Sequence, residues 1–436
     1  MRLRSGARGT FVPAAGTGAS GPVERRGRAA ADGILRYGAI RLKRVYLDNA
    51  ASTQALESVA DAVRHALLHA YGNPSSLHGM GLEAERIVEG ARAELARALG
   101  VEPAELFFTS GGTEANNLAL KGAARARARR GRHILVTPIE HDSVLNALNA
   151  LKAEGFEVEY LPVDGAGRVD PDRVRERVRP DTVLVSIGAV NNEIGTVQPL
   201  AAVGQALAAL GEERPLLHTD AVQALGKVPL GDVIRHVDLA SFSAHKIHGP
   251  KGTGALYVRR GVKLLPLAEG GGQERGLRPG TENVPGIAGF GAALRELEML
   301  VQAWPRMRAL KEALWEGLRD GLDGVQVRRL GPPPAEAAPH ILSVAFPGLR
   351  GEVVVHALEE HGVFASTGSA CTSRDPRPSH VLKAVGLEDE VAQGAVRLSL
   401  SRFTTEEDVE RAVAAFRAAL PALWRFARLR GRGGAR

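Results

Sequence analysis

The order of apolar runs and helix-like segments predicts an α/β protein, with a larger domain built on a mostly parallel sheet and a smaller α+β domain after it. Short apolar runs at 106–108, 133–137, 158–161, 183–187, 216–218, 237–242 and 255–258 alternate with amphipathic segments long enough for helices. That rhythm is the one expected of a parallel sheet covered by helices on both faces. Polar or glycine-containing turns follow several of these runs, where the carboxyl ends of parallel strands collect ligands. From about residue 302 the pattern changes to a long helical segment, a break at Pro332, Pro333 and Pro334, and then mixed strand and helix. A chain of 436 residues has room for both units.

Composition narrows the function classes. Hydrophobic content of 44% and charge of 24% suit a soluble globular protein, and no apolar run is long enough for a membrane span. The net charge of +7 lies in the ends: residues 1–44 hold ten Arg or Lys against Glu24 and Asp32, and residues 421–436 hold five Arg and no acid. The residues between them are net negative, which excludes a basic groove for nucleic acid in the folded core. Residues 1–44 are expected to be a disordered basic extension and 421–436 a basic tail. The extension has no continuous apolar stretch like that of a secretory signal, but its Arg- and Ala-rich, acid-poor composition is shared by mitochondrial transit peptides, so a cytoplasmic location is expected with a mitochondrial one as the alternative. Cys371 is the single cysteine. It rules out an internal disulfide and a multi-thiolate metal site made by one chain, and fits a reducing compartment.

Taken in chain order, the candidate functional residues sit where strands are expected to end. After 106–108, Thr109-Ser110-Gly111-Gly112-Thr113-Glu114 is a glycine turn followed by a good helix start. Free N–H groups there, the helix dipole and the Thr113 hydroxyl make a phosphate site; the alternative is an ordinary capped turn. His141 follows the 133–137 run, and by itself reads as a structural histidine. In His218-Thr219-Asp220-Ala221-Val222-Gln223 a carboxylate is set at another strand end, either to protonate a ring nitrogen or to cap a helix. The stretch from Val237 to Gly254 is a buried strand followed by Ser243-Ala244-His245-Lys246-Ile247-His248 and a loop rich in Gly and Pro. Lys246 there is either a nucleophilic amine projecting into a cleft or a surface lysine in a polar turn. Two histidines, His245 and His248, without a thiolate companion are weak metal evidence. Along 396–403, alternation sends Arg397 to one face and Arg402 to the other, and either guanidinium offers a fork for a carboxylate. Cys371 lies among small and polar residues with two prolines, the setting of an exposed thiol; Arg374 and Arg377 could stabilise its thiolate.

These motifs, in this order, resemble the cysteine desulfurases of the pyridoxal-phosphate fold-type I family. The resemblance runs from Val45 to about Leu420 through Y-L-D-N-A-A-S-T, Y-G-N-P-S-S-L-H, F-T-S-G-G-T-E-A-N-N, I-E-H-D-S-V, N-N-E-I-G, H-T-D-A-V-Q, S-A-H-K-I-H-G-P-K, R-P-G-T-E-N, G-S-A-C-T-S and R-L-S-L-S-R-F-T. Each motif alone is weak, but ten or so in order are specific. The resemblance implies the fold-type I transferase architecture, with 56–301 as the large domain and 45–55 joining 302–420 in the small one.

It also implies pyridoxal 5'-phosphate as cofactor, bound covalently by Lys246, with Asp220 at the pyridine nitrogen and Gln223 at the ring hydroxyl. His141 would stack on the ring, and Asn192 would contact cofactor and substrate. Gly112, Thr113, Ser243 and His245 would hold the phosphate, joined by Thr281 from the partner subunit of a homodimer. Arg397 is favoured over Arg402 for the substrate carboxylate.

The implied reaction takes sulfur from L-cysteine, leaving L-alanine and a persulfide on Cys371, for an acceptor such as an iron–sulfur scaffold or a tRNA thiolation system. Cys371 would then also serve as a transient iron–sulfur ligand through its persulfide. The spacing from Cys371 to His380 resembles the longer-loop desulfurases that serve iron–sulfur assembly. An aminotransferase or a selenocysteine lyase on the same fold is the nearer alternative. A non-catalytic scaffold is the more distant one, disfavoured because Lys246 and Asp220 are both present.

Overall fold

The strands expected after each helical segment come together as one seven-stranded sheet, in the order Leu106–Thr109, Gly254–Val258, Leu239–Ser243, Leu216–Asp220, Thr182–Ser186, His133–Val136, Glu157–Tyr160. The computed structural model describes residues 34–37, 40–320, 322, 324–368 and 379–433. Neighbouring strands are parallel from Leu239–Ser243 to Glu157–Tyr160, and Gly254–Val258 alone runs antiparallel to both of its neighbours. Successive residues of a central strand enter different cores. Leu135, Ala240, Ala255 and Tyr257 join one apolar cluster, while Ile134, Val136, Leu239 and Leu256 join the other. The sheet is therefore covered on both faces, which is why its strands read as continuous apolar runs and not as alternating ones. The edge strand Glu157–Tyr160 is the exception, with its two end residues exposed.

A second, antiparallel sheet joins Arg328–Leu330, Ile341–Ala345 and Ala395–Ser399. Val45–Tyr46 pairs in parallel with Val363–Phe364, and Val45 and Leu47 are buried with Leu314, Val344, Leu398 and Phe416 in a separate cluster. From Asp48 the chain then crosses between the two sheets: Asp48 bridges to Ser399, whereas Thr53 donates its N–H to His245 O at 3.0 Å and Leu56 is buried in the larger core. This crossing lays residues 48–53 over the strand ends of the large sheet.

The terminal segments differ from expectation in two places. Within the extension 1–44, Ile34–Tyr37 and Ile40–Lys43 form an antiparallel pair, because I-L-R-Y and I-R-L-K are rich in residues that favour strands. The expected tail 421–436 is, through residue 433, the end of one helix, Glu406–Gly433, that continues past Pro421. An internal proline costs a helix about 3 kcal/mol, and packing opposes that cost, since Leu420 is buried and Leu423, Trp424 and Ala427 lie against the smaller core. Among the described residues no helix is long and apolar enough to cross a membrane.

Candidate active site

The carboxyl ends of the parallel strands open onto a cavity of about 840 Å³. Helix Gly112–Ala126 starts at its edge, directly after strand Leu106–Thr109 and the Ser110-Gly111 turn. The first-turn N–H groups of a helix have no acceptor within it, and those of Gly112 and Thr113 lie at the cavity wall. A Cβ on Gly112 would come 2.6 Å from Val222 Cγ2, so only glycine lets this backbone approach so closely. Ser243 is buried at the end of its strand, and His245 beside it places Nδ1 3.3 Å from Ser52 Oγ. Burial, with the nearby Lys246 ammonium, lowers the His245 pKa to about 4, so its ring is neutral at neutral pH.

Lys246 ends a single 3₁₀ turn, Ala244–Lys246, that breaks the strand before it. Its Nζ donates to Ala50 O at 2.6 Å and Ala51 O at 2.7 Å, in the crossing segment. Asp220 closes strand Leu216–Asp220, with one carboxylate oxygen turned to its own chain and the other toward the cavity. Oδ1 accepts the Val222 N–H at 3.0 Å, capping the following turn, and Oδ2 accepts from Asn116 Nδ2 at 2.7 Å at the cavity wall. His141 is likewise both structural and in the site. Its Nδ1 accepts the Ser143 N–H at 3.1 Å and caps helix Asp142–Ala153, while the ring lines the cavity. A hydrogen-bonded chain ties the two together, since the Ser143 hydroxyl lies 2.8 Å from His141 Nδ1 and 2.9 Å from Asn116 Nδ2. The buried Asn116 Oδ1 has no hydrogen-bond partner among the described residues.

The opposite wall holds Arg397, 2% exposed, in strand Ala395–Ser399. Its Nη2 donates to Asp48 Oδ1 at 2.8 Å, and Nη1 donates to Asn192 O at 2.8 Å and Gly368 O at 3.2 Å. Arg402 lies beyond the strand, where it pairs with Glu296 and sits over the Phe403 ring. The structure thus brings Arg397 to the cavity and not Arg402. The side chains of Asn192 and Gln223 also line the cavity.

Thr281 does not line it; it is exposed beside Gly280, whose φ is +97°. Cys371, with Arg374 and Arg377, lies outside the described residues. His248 turns away from any metal role, with Nδ1 2.8 Å from Gln54 O and its ring edge-on to Phe403. Among the described residues no three His, Cys, Asp or Glu are placed to hold a metal ion.

Several residues of this site carry no individual signal in the sequence. Asp48, Ala50 and Ala51 sit in Y-L-D-N-A-A-S-T, a motif recognisable by resemblance but without an obvious chemical role. Glu193, in N-N-E-I-G, is buried, accepts from Ser379 Oγ at 2.6 Å, and has its pKa raised by burial. Glu140 is buried beside His141, accepts from Thr137 Oγ1 and from Gly188 N, and is pushed up to about 7 by burial.

Comparison with known proteins agrees with this geometry. The Aminotransferase class-V family matches residues 45–412. The cysteine desulfurase IscS of Methanosarcina thermophila is 44% identical over 370 residues, 85% of this chain and 90% of that protein. The structure of a NifS-like protein superposes with a TM-score of 0.81 at 42% identity, covering 87% of this chain and all of that one (100%). The structure of SspA in complex with cysteine superposes with a TM-score of 0.70 at 35% identity, covering 83% of this chain and 99% of that one. By sequence, fold and the arrangement of the cavity, the chain belongs to the class-V aminotransferases, among their cysteine desulfurases.

Proposed function

We propose that this enzyme removes sulfur from L-cysteine, releasing L-alanine and leaving a persulfide on Cys371. The observation that carries the reading is that one cavity gathers an amine at a strand end, a carboxylate, a helix N-terminus and an arginine fork: Lys246, Asp220, Gly112 and Arg397. Class-V aminotransferases as a family use pyridoxal 5'-phosphate, and the residues present fit it. The close approach that requires Gly112 sets the start of its helix at the cavity, where first-turn N–H groups suit a phosphate, and Asp220, held by two hydrogen bonds, suits a protonated ring nitrogen. When bound, the cofactor supplies a conjugated ring that takes up the electron pair left at the substrate Cα.

The chain's own residues do the rest. Lys246 would hold the cofactor and then carry the α proton on Nζ, with Ala50 O and Ala51 O orienting the amine. Asp220 keeps a proton on the ring nitrogen, and Asn116 fixes the direction of its carboxylate. Arg397 binds the substrate carboxylate, for which it must exchange part of its contact with Asp48. The Cys371 thiolate attacks the substrate sulfur. An S–S bond forms as the Cβ–S bond breaks, and the bonding pair stays with the carbon skeleton, which takes up protons to become alanine.

The sulfur on Cys371 would then pass to an acceptor protein for iron–sulfur assembly or tRNA thiolation, with the persulfide as a transient cluster ligand in the first case. A homodimer is supported by exposed Leu67, Leu68, Tyr71, Leu77, Met80 and Leu82, a run of apolar side chains awaiting cover. Thr281, exposed and outside its own cavity, fits a contact with the partner's phosphate site. A lone cysteine used as a thiolate suits a reducing compartment such as the cytoplasm.

The test is incubation of purified, cofactor-loaded protein with L-cysteine and quantification of alanine. Stoichiometric or catalytic alanine supports the reading, whereas transfer of the amino group to an added keto acid without alanine would replace it with an aminotransferase.

A further inference from the structure

Gln223 stands at the back of the cavity with its side-chain amide held at both ends. Nε2 donates to Ala50 O at 2.8 Å, and because a carbonyl can only accept, the amide oxygen must face the other way. There Oε1 meets His340 Nε2 at 3.2 Å and Lys227 Nζ at 3.5 Å. An amide oxygen cannot donate, so His340 carries its ring proton on Nε2. The other ring nitrogen, Nδ1, has no hydrogen-bond partner among the described residues, in a side chain that is fully buried (0% exposed). A second proton there would add a cation facing Lys227, Lys311, Arg397 and Lys246. Burial, with those charges, holds the His340 pKa well below its usual value. Burial and the Lys246 ammonium act on Lys227 in the same direction. Of the two donors to Oε1, the His340 N–H at 3.2 Å is closer than Lys227 Nζ at 3.5 Å.

His340 is also fixed from behind. It immediately precedes strand Ile341–Ala345 of the smaller sheet, and its carbonyl accepts the Leu400 N–H at 2.8 Å. The ring is thus carried by one sheet and reaches a side chain that follows a strand of the other, 117 residues earlier in the chain.

From this geometry we propose that His340 is a positioning residue, which fixes the Gln223 amide so that an N–H, and not the oxygen, faces the cavity. The proposal rests on the reading of Gln223 as donor to the ring oxygen of the bound cofactor. With Oε1 engaged by His340 and one N–H engaged by Ala50 O, the second N–H is left for that oxygen. Without the His340 donor, Oε1 would keep only the longer contact with Lys227, and the bond to Ala50 O would be the one short contact left to hold the amide in the plane that aims its second N–H at the ring oxygen.

A hydrogen bond to the ring oxygen stabilises its anion and so lowers the pH at which the visible absorption of the bound cofactor titrates. Losing one charge-assisted hydrogen bond should raise that midpoint by roughly one pH unit. The experiment is an absorbance titration of the substrate-free holoenzyme. His340→Leu and Gln223→Leu should each raise the midpoint by about that amount, and the double variant should go no further, because both remove the same bond. His340→Gln, which keeps an N–H donor, should restore the wild-type midpoint. A purely structural role for His340 would lower the melting temperature without moving the midpoint, and a midpoint unmoved by His340→Leu while Gln223→Leu moves it overturns the proposal. If Gln223→Leu also leaves it unmoved, the assignment of Gln223 to the ring oxygen fails first, and the proposal with it.

Should His340→Leu not fold, nitrogen NMR of the histidine rings in the native holoenzyme decides the question. A neutral ring protonated at Nε2 from about pH 6 to 8 supports the proposal. A ring protonated at Nδ1 contradicts it.

Discussion

The two walls of the cavity hold their charged groups by different means. On the wall made by the large sheet, each group belongs to the turn that directly follows its own strand: Asp220 closes Leu216–Asp220 and also caps the turn two residues on, and Lys246 stands three residues past Leu239–Ser243. On the wall made by the smaller sheet, Arg397 is held by Asp48, 349 residues away, and by the carbonyl of Asn192, 205 residues away. The first wall is built by local geometry and, in the proposed reaction, would carry the chemistry. The second is assembled by contacts between distant segments and would set binding and position. Substitutions on the first should therefore abolish turnover with binding elements intact, and substitutions on the second should weaken binding with turnover largely preserved.

The largest effect is expected from Lys246→Ala, which removes the amine proposed to hold the cofactor and move the α proton. Alanine formation should cease, and the absorption of a lysine-bound cofactor should vanish from the visible spectrum. Asp220→Ala should come next. It removes the charge proposed to hold a proton at the ring nitrogen, and loss of one partner of such a pair, at several kcal/mol, should lower kcat by roughly 10²- to 10³-fold. A change confined to KM would move Asp220 to the binding side of the comparison.

On the other wall, Arg397→Ala should raise KM for L-cysteine by roughly 10- to 100-fold, the worth of one charge-assisted fork. Arg402→Ala removes the pair with Glu296 and the contact with the Phe403 ring and should lower stability by about 1 to 3 kcal/mol, with KM unaltered. Equal KM effects from the two arginines would contradict the placement of Arg397 at the substrate carboxylate.

The smallest effect is a pH dependence of stability. Burial lowers the pKa of His218 to about 3 and those of His245 and His248 to about 4. Their folded-state pKa values lie below the unfolded one, so between these values the unfolded chain binds more protons than the folded one. Their contribution is fully present above about pH 6.5 and is lost as pH falls toward 4. Glu140, raised to about 7, acts in the opposite sense between about pH 7 and 4.5, so the histidine contribution is read as a difference: the melting temperature of the wild type should fall relative to that of His248→Gln as pH drops across that window.

The same contrast explains how much of the molecule was legible in the sequence. The strand, turn and helix around Gly112, the carboxylate of Asp220 and the amine of Lys246 are local, and each could be read from a few consecutive residues. His141 and Asp220 could be read in two ways; the capping role of each is seen in its hydrogen bonds, and each also lines the cavity where the proposed role would be played. Choosing Arg397 over Arg402 needed the resemblance, since alternation along a strand says which residues share a face but not which face meets the site. Asn116, Glu193 and His340 left no signal, because their roles depend on partners brought close only by the fold. The helix beyond Pro421 was missed for a related reason: its propensity is poor, and the packing of Leu423 and Trp424 that offsets this is long-range.

The central claim, that sulfur leaves L-cysteine for the single thiol of this chain, is tested most directly by mass spectrometry of the holoenzyme after incubation with L-cysteine. The account predicts one added sulfur atom on the peptide that contains Cys371, removed by a thiol reductant. It also predicts that Cys371→Ala keeps the visible spectrum of the bound cofactor and still responds to L-cysteine, but transfers no sulfur. Alanine released by Cys371→Ala at the wild-type rate would contradict it, and would make this a lyase that works without a protein nucleophile.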